Sequence, residues 1–133
     1  MTYFLDTNIC IYALKGTYPQ VKRHFTSHAP SEICIPAIVL AELYYGANKS
    51  AAQDKVMDTL RQFIAPIRIV DFDSRSAASY GDIRSKLESR GRPIGPNDLM
   101  IAATVLARGG TLVTHNTREF SAVPGLLLED WVL

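Results

Sequence analysis

Apolar residues along this chain fall into two kinds of run. Short, nearly unbroken runs read as strands: TYFLD (2–6), EICIP (32–36), IRIVDF (67–72), TLVT (111–114) and LLLED (126–130). Longer runs, rich in helix formers or with apolar residues at helical spacing, read as helices. These are TNICIYALKG (7–16), YPQVKRHFTSH (18–28), AIVLAELYYGA (37–47), SAAQDKVMDTLRQFI (50–64), SRSAASYGDIRSKLESRG (74–91) and NDLMIAATVLARGG (97–110). Val56, Met57, Leu60 and Ile64 form the apolar stripe of 50–64, and TREF (117–120) reads as a single helical turn. Strands alternate with helices and lack the in–out alternation of a half-exposed sheet. The pattern predicts one α/β domain over 1–133, with a mostly parallel central sheet covered by helices on both faces. Ligands in such sheets bind outside the carboxyl ends of the strands, so the residues just after strands carry most weight.

Composition narrows the reading. A chain of 133 residues has the size of one domain, and 47% hydrophobic with 20% charged residues is ordinary for a globular protein. The net charge of +1 supplies no general attraction for nucleic acid, although a local basic patch serves in a neutral protein. Cys10 and Cys34 lie in apolar runs without metal-ligand spacing and read as buried free thiols in a reducing compartment. MTYFLDTNIC lacks the basic start of a signal peptide, and no run is long enough to span a bilayer, so a cytoplasmic location without membrane contact is expected.

Three acids stand out by isolation. Asp6 is the only charged side chain in 1–14, Glu42 the only one in 35–46, and Asp98 the only one in 96–107. An ionised carboxylate among apolar neighbours is costly unless it is paired, hydrogen-bonded or bound to a cation. Asp6 also reads as the N-cap of the helix from Thr7. Asp98 also reads as an acid at the positive end of its helix, with Asn97 as cap. Glu42 has Ile38, Val39, Tyr45 and Gly46 one turn away, so its bland alternative is a salt bridge to a distant base.

On the predicted fold these acids converge at one sheet edge. Asn116, just after TLVT, brings another oxygen ligand there, and Glu119 follows one turn later. Crowded carboxylates repel each other unless a cation compensates them. All-oxygen ligands select Mg²⁺, with Mn²⁺ as a substitute. Upstream of Asp98, IRSKLESRGR carries Arg84, Lys86, Arg90 and Arg92 against the single acid Glu88. It reads either as an arm for RNA phosphates or as a solvated helix face. Lys15 with KRH (22–24) is a weaker basic candidate. Tyr44 and Tyr45 read as core or protein-interface residues, Trp131 as a core anchor, and His115 has no assigned role.

LDTN, IPAIVLAELYYG, PNDLMIAA and LVTHNTREF, in order from Asp6 to the closing LLLEDW, resemble the PIN domain. The likeness is to its VapC branch, the toxins of type II toxin–antitoxin pairs. It implies an Mg²⁺-dependent endoribonuclease that cuts transfer or ribosomal RNA loops with metal-activated water, leaving 5′-phosphate and 3′-hydroxyl ends. The family's acidic positions fall on Asp6, Glu42 and Asp98. Asp6 and Asp98 would ligate the metal directly, and Glu42 would hold a metal or act on its water as general base. A fourth family position, often Asp, falls on Asn116, which would orient a ligand or water, with Glu119 as the substitute carboxylate. Thr7 and Asn8 would support the loop. The resemblance also implies a homodimer and a VapB-type antitoxin whose C-terminal segment lies across the active site. The competing readings are a non-catalytic PIN-like or receiver-like binding module and a small-molecule phosphohydrolase. A receiver would want paired acids in TYFLD and a Lys in LVTHN. The haloacid-dehalogenase pattern needs an acid where Asn8 stands.

Overall fold

The computed structural model describes residues 1–133. Five short strands form one sheet: β1 (Tyr3–Leu5), β2 (Ile33–Pro36), β3 (Arg68–Val70), β4 (Thr111–Val113) and β5 (Leu127–Glu129). Their order is β3-β2-β1-β4-β5, and every pairing is parallel, with Phe4 opposite both Cys34 and Leu112. Seven helices connect them: α1 (Thr7–Lys15), α2 (Pro19–Ser27), α3 (Ala37–Lys49), α4 (Gln53–Ile64), α5 (Ser74–Ser89), α6 (Pro96–Arg108) and α7 (Thr117–Phe120). No helix is long and apolar enough to cross a membrane.

The central strands are buried on both faces, which is why their sequences show no alternation. Phe4, Leu5, Cys34, Ile35, Leu112 and Val113 have no solvent exposure. Cys10 and Cys34 are buried free thiols, and Trp131 is fully buried, as the sequence suggests. Burial holds the Cys10 thiol well above its ordinary pKa, so it is no ready nucleophile.

Helix ends follow local chemistry. Gly16 and Gly109 close α1 and α6 in the left-handed conformation, at φ 66° and 70°. Several boundaries differ from the sequence reading by a residue or two, and three of them have a local cause. Glu32 belongs to a 3₁₀ turn (Pro30–Glu32), not to β2. Residues 50–52 form a turn in which the Ser50 hydroxyl accepts the Ala52 N–H, so α4 begins at Gln53. Asn97 is not the cap of α6. The helix starts at Pro96 with Gly95 at the N-cap, because a proline at the first position forfeits no hydrogen bond there.

Topology fixes where ligands meet the sheet. From β1 the chain steps outward to β2 and β3, then returns to the other side for β4 and β5. The switch between β1 and β4 opens a crevice at their carboxyl ends. Asp6 follows β1 there, and Thr114 to Asn116 follow β4. Helix α3 leaves β2 at the same edge. Helix α6 runs back toward the start of β4, so its first turn, with Asp98, also lies at that edge.

Candidate active site

Asp6 is 6% exposed, at the junction of β1 and α1. Its Oδ1 accepts the Ile9 N–H at 2.9 Å, so it caps α1 as the plainer reading held. Capping does not exhaust it. Burial pushes its carboxyl above the ordinary value, opposed by hydrogen bonds from Thr114 and Ile9 and reinforced by the charges of Glu42 and Asp130.

Glu42 comes from the second turn of α3, and the alternative of a distant salt bridge does not hold. Its Oε1 accepts the Thr7 hydroxyl at 2.7 Å. That bond ties α3 to the first residue of α1 and aims the carboxylate into the crevice beside Asp6.

Asp98, in the first turn of α6, is pushed up to about 6. Burial is the largest cause, followed by repulsion from Glu119, Glu42 and Asp6. Three independent elements thus deliver acids close enough to perturb one proton equilibrium. Glu119 is drawn in as well: Asn116 Nδ2 donates to its Oε2 at 2.6 Å, and the Gly95 N–H reaches its Oε1 at 3.4 Å. Asn116 lacks the charge of an acid but positions one. Its own N–H donates to the Thr114 hydroxyl at 3.0 Å. Thr7 supports the site through Glu42, whereas Asn8 is exposed and makes no side-chain hydrogen bond within the protein.

No Lys or Arg pairs with Asp6, Glu42, Asp98 or Glu119, since the ion pairs lie elsewhere. A half-buried carboxyl pushed up to about 6 among acids that no base neutralises is a donor set short of positive charge. A hard dication fits it.

Asp130 is the site residue that the sequence reading passed over. Its side chain is 8% exposed, it holds His115 Nδ1 at 2.9 Å, and its charge reaches Asp6. The signal was available: it follows β5, where the strand-end rule points. His115 thereby acquires a structural role beside Asn116.

The basic arm divides. Arg84 is held by Glu88 and the Tyr80 hydroxyl, and Lys86 by Asp82, all on α5. Arg90 and Arg92 are exposed and unpaired at the end of that helix, before the turn into α6.

The PIN domain family model matches residues 3–126. The chain is 39% identical to the tRNA(fMet)-specific endonuclease VapC of Salmonella typhimurium over 98% of each chain. It is 41% identical to ribonuclease VapC2 of Rickettsia felis, again over 98% of both. Among solved structures it superposes on VapBC2 of Rickettsia felis bound to a promoter DNA fragment, with a TM-score of 0.92 at 39% identity, covering 98% of this chain and 99% of that one. A DNA-bound VapBC of Salmonella typhimurium gives a TM-score of 0.93 at 39% identity over 98% of both chains. A parallel five-stranded sheet, acids gathered at its switch point and full-length likeness to these proteins lead to one assignment: the chain belongs to the PIN domain family, in its VapC group.

Proposed function

We propose that this chain is a metal-dependent endoribonuclease, the toxin of a VapBC pair, acting on transfer RNA. The observation that carries the reading is the unneutralised convergence of Asp6, Glu42, Asp98 and Glu119 at the β1–β4 crevice. The transfer RNA substrate rests on the tRNA(fMet)-specific relatives.

Asp6 and Asp98 would hold Mg²⁺, or Mn²⁺ in its place, with Glu42 beside them. A bound dication supplies a Lewis acid that lowers the pKa of water and offsets charge building on the phosphate. Glu42, fixed through Oε1 by Thr7, would keep its other oxygen as an acceptor for a proton of the attacking water. Asn116 and the Gly95 N–H hold Glu119 against the cluster. Arg90 and Arg92, exposed and unpaired, would bind RNA phosphates, and phosphate contacts of this kind set register rather than sequence.

The partner would be a VapB-type antitoxin, as in the solved VapBC complexes. An apolar groove of about 430 Å³ between α1, α3 and α4 has Glu42 in its wall. We assign the antitoxin's apolar segment to it, because an occupant there would lie against Glu42.

The test is cleavage of total cellular RNA by antitoxin-free protein with Mg²⁺ or Mn²⁺. Discrete fragments with 5′-phosphate ends, lost in EDTA and in Asp6→Asn, are expected. No cleavage by folded protein that binds Mg²⁺ would overturn the nuclease reading in favour of a binding module.

A further inference from the structure

Away from the four acids, two imidazoles and a carboxylate face one another. His24 lies in the last turn of α2, and His28 caps that helix four residues later, on the same side. Glu129 is the last residue of β5. The ligand atoms of these three side chains all lie within 4.8 Å of one another. We propose that His24, His28 and Glu129 form a second metal site, selective for zinc over magnesium.

Three observations carry this. The first is preorganisation. Trp131 stacks on both imidazoles, at 5.4 Å between centroids in each case and 9° and 13° between planes, and Tyr3 lies 4.4 Å from His28. Both rings are therefore held in nearly one orientation by a fully buried indole. The second is orientation of the carboxylate. Trp131 Nε1 donates to Glu129 Oε1 at 2.9 Å, which fixes the acid and leaves its other oxygen as a ligand. Hydrogen bonds of this kind behind a ligand are what hold metal sites in shape. The third is availability. Neither imidazole is hydrogen-bonded to a protein group, and both are half-exposed, so their ring nitrogens are free to bind from solvent.

The ligand chemistry selects the ion. Two His and one Glu are a zinc set that leaves a fourth position for water. Imidazole favours zinc, copper or nickel, whereas Mg²⁺ prefers oxygen. Tetrahedral zinc places its ligands about 3.4 Å apart, so the three side chains need to close by roughly 1 Å. His28 sits in extended backbone at φ −108° after the helix, where such an adjustment is free of helical constraint. Bound zinc would staple α2 to the C-terminal segment, which already meets α2 through Gln20 Nε2 and the Val132 carbonyl at 2.6 Å.

Trp131 is the only tryptophan in the chain, so its emission reports directly on this site. The experiment uses untagged, EDTA-stripped protein carrying Asp6→Asn and Asp98→Asn, so that zinc taken up by the catalytic acids is removed from the readout. Zinc is expected to bind at one equivalent, change Trp131 emission and raise the melting temperature, while Mg²⁺ at the same concentration does neither. Cobalt in its place should give the visible bands of a tetrahedral centre. His24→Gln should weaken zinc binding by at least about tenfold. Glu129→Gln, which keeps an acceptor for Trp131 and so preserves the packing, should do the same. Absence of zinc binding in the double variant would overturn the proposal. So would binding that survives both His24→Gln and Glu129→Gln.

Discussion

Asp98 is held above its ordinary 3.8, up to about 6, by burial and by the acids around it. Without metal, the folded chain therefore binds more protons than the unfolded chain between those two values. Stability from this group is fully present below about pH 4 and is lost as pH rises through 6. In EDTA at pH 7, Asp98→Asn is expected to melt above the wild type, with the difference vanishing near pH 4. Saturating Mg²⁺ should reverse the order at pH 7, since only the wild type gains the full binding energy. An Asp98→Asn protein that melts below wild type in EDTA at pH 7 would show that the protein itself satisfies the acid, and the case for a cation would fail. Thr7→Val tests orientation rather than charge. Removing the 2.7 Å bond to Glu42 should lower the cleavage rate by about 10- to 100-fold with little change in melting temperature. A rate equal to wild type would mean that the crevice alone aims Glu42. At this scale the sequence was informative where an acid had no local partner, as with Glu42. It was silent where a residue's role depends on what a distant strand brings. Glu119 could be named as a substitute carboxylate, but not the bonds from Asn116 and Gly95 that draw it in, and Asp130, which acts through His115 and Asp6, was missed.

Element types were readable because each class of run was distinct. The strands gave short, mostly apolar runs, and α1 and α6 ended at glycines that sit left-handed in the fold. Boundaries were less readable, because they depend on hydrogen bonds that a hydropathy pattern does not contain. Pro96 rather than Asn97 starts α6 for that reason, and the Ser50 turn delays α4. The junction of α6 and β4 shows how tightly elements are joined. A Cβ on Gly110 would lie 2.4 Å from Phe4 Cε2, 2.7 Å from its Cδ2 and 3.0 Å from the Thr2 carbonyl. Phe4 is fully buried on β1 and cannot swing into solvent. Gly110→Ala should therefore force β1 and β4 apart, destabilising the domain by about 1–3 kcal/mol, as overpacking of a core does. Chemical denaturation would measure it. Because those two strands carry Asp6 and Asn116, cleavage should fall further than the loss of folded protein explains. A stability within error of wild type would show that the Phe4 ring repacks freely.

At the scale of the molecule, the order of strands could be narrowed but not read from the sequence. Alternating strands and helices imply a parallel sheet, yet the side of β1 on which β4 docks depends on long-range packing. That choice is what makes Asp6 and Asn116 neighbours. The groove between α1, α3 and α4 is likewise invisible to a pattern that assigns every apolar residue to a core. Ile11, Leu14, Leu43, Val56 and Leu60 line it, and Val56 is 38% exposed, high for an aliphatic side chain on an amphipathic helix. If the antitoxin fills this groove, it desolvates Val56 and covers Glu42 in one step, so inhibition and affinity share a surface. Val56→Asp places a charge in that contact while leaving the core residue Leu60 untouched. The antitoxin's Kd should rise by at least about 30-fold, the effect of losing a well-packed anchor. The variant's own melting temperature should stay near wild type, since the position is partly solvated already. Calorimetric titration with the cognate antitoxin measures the change. An unchanged Kd would place the antitoxin on another face and separate the groove from inhibition.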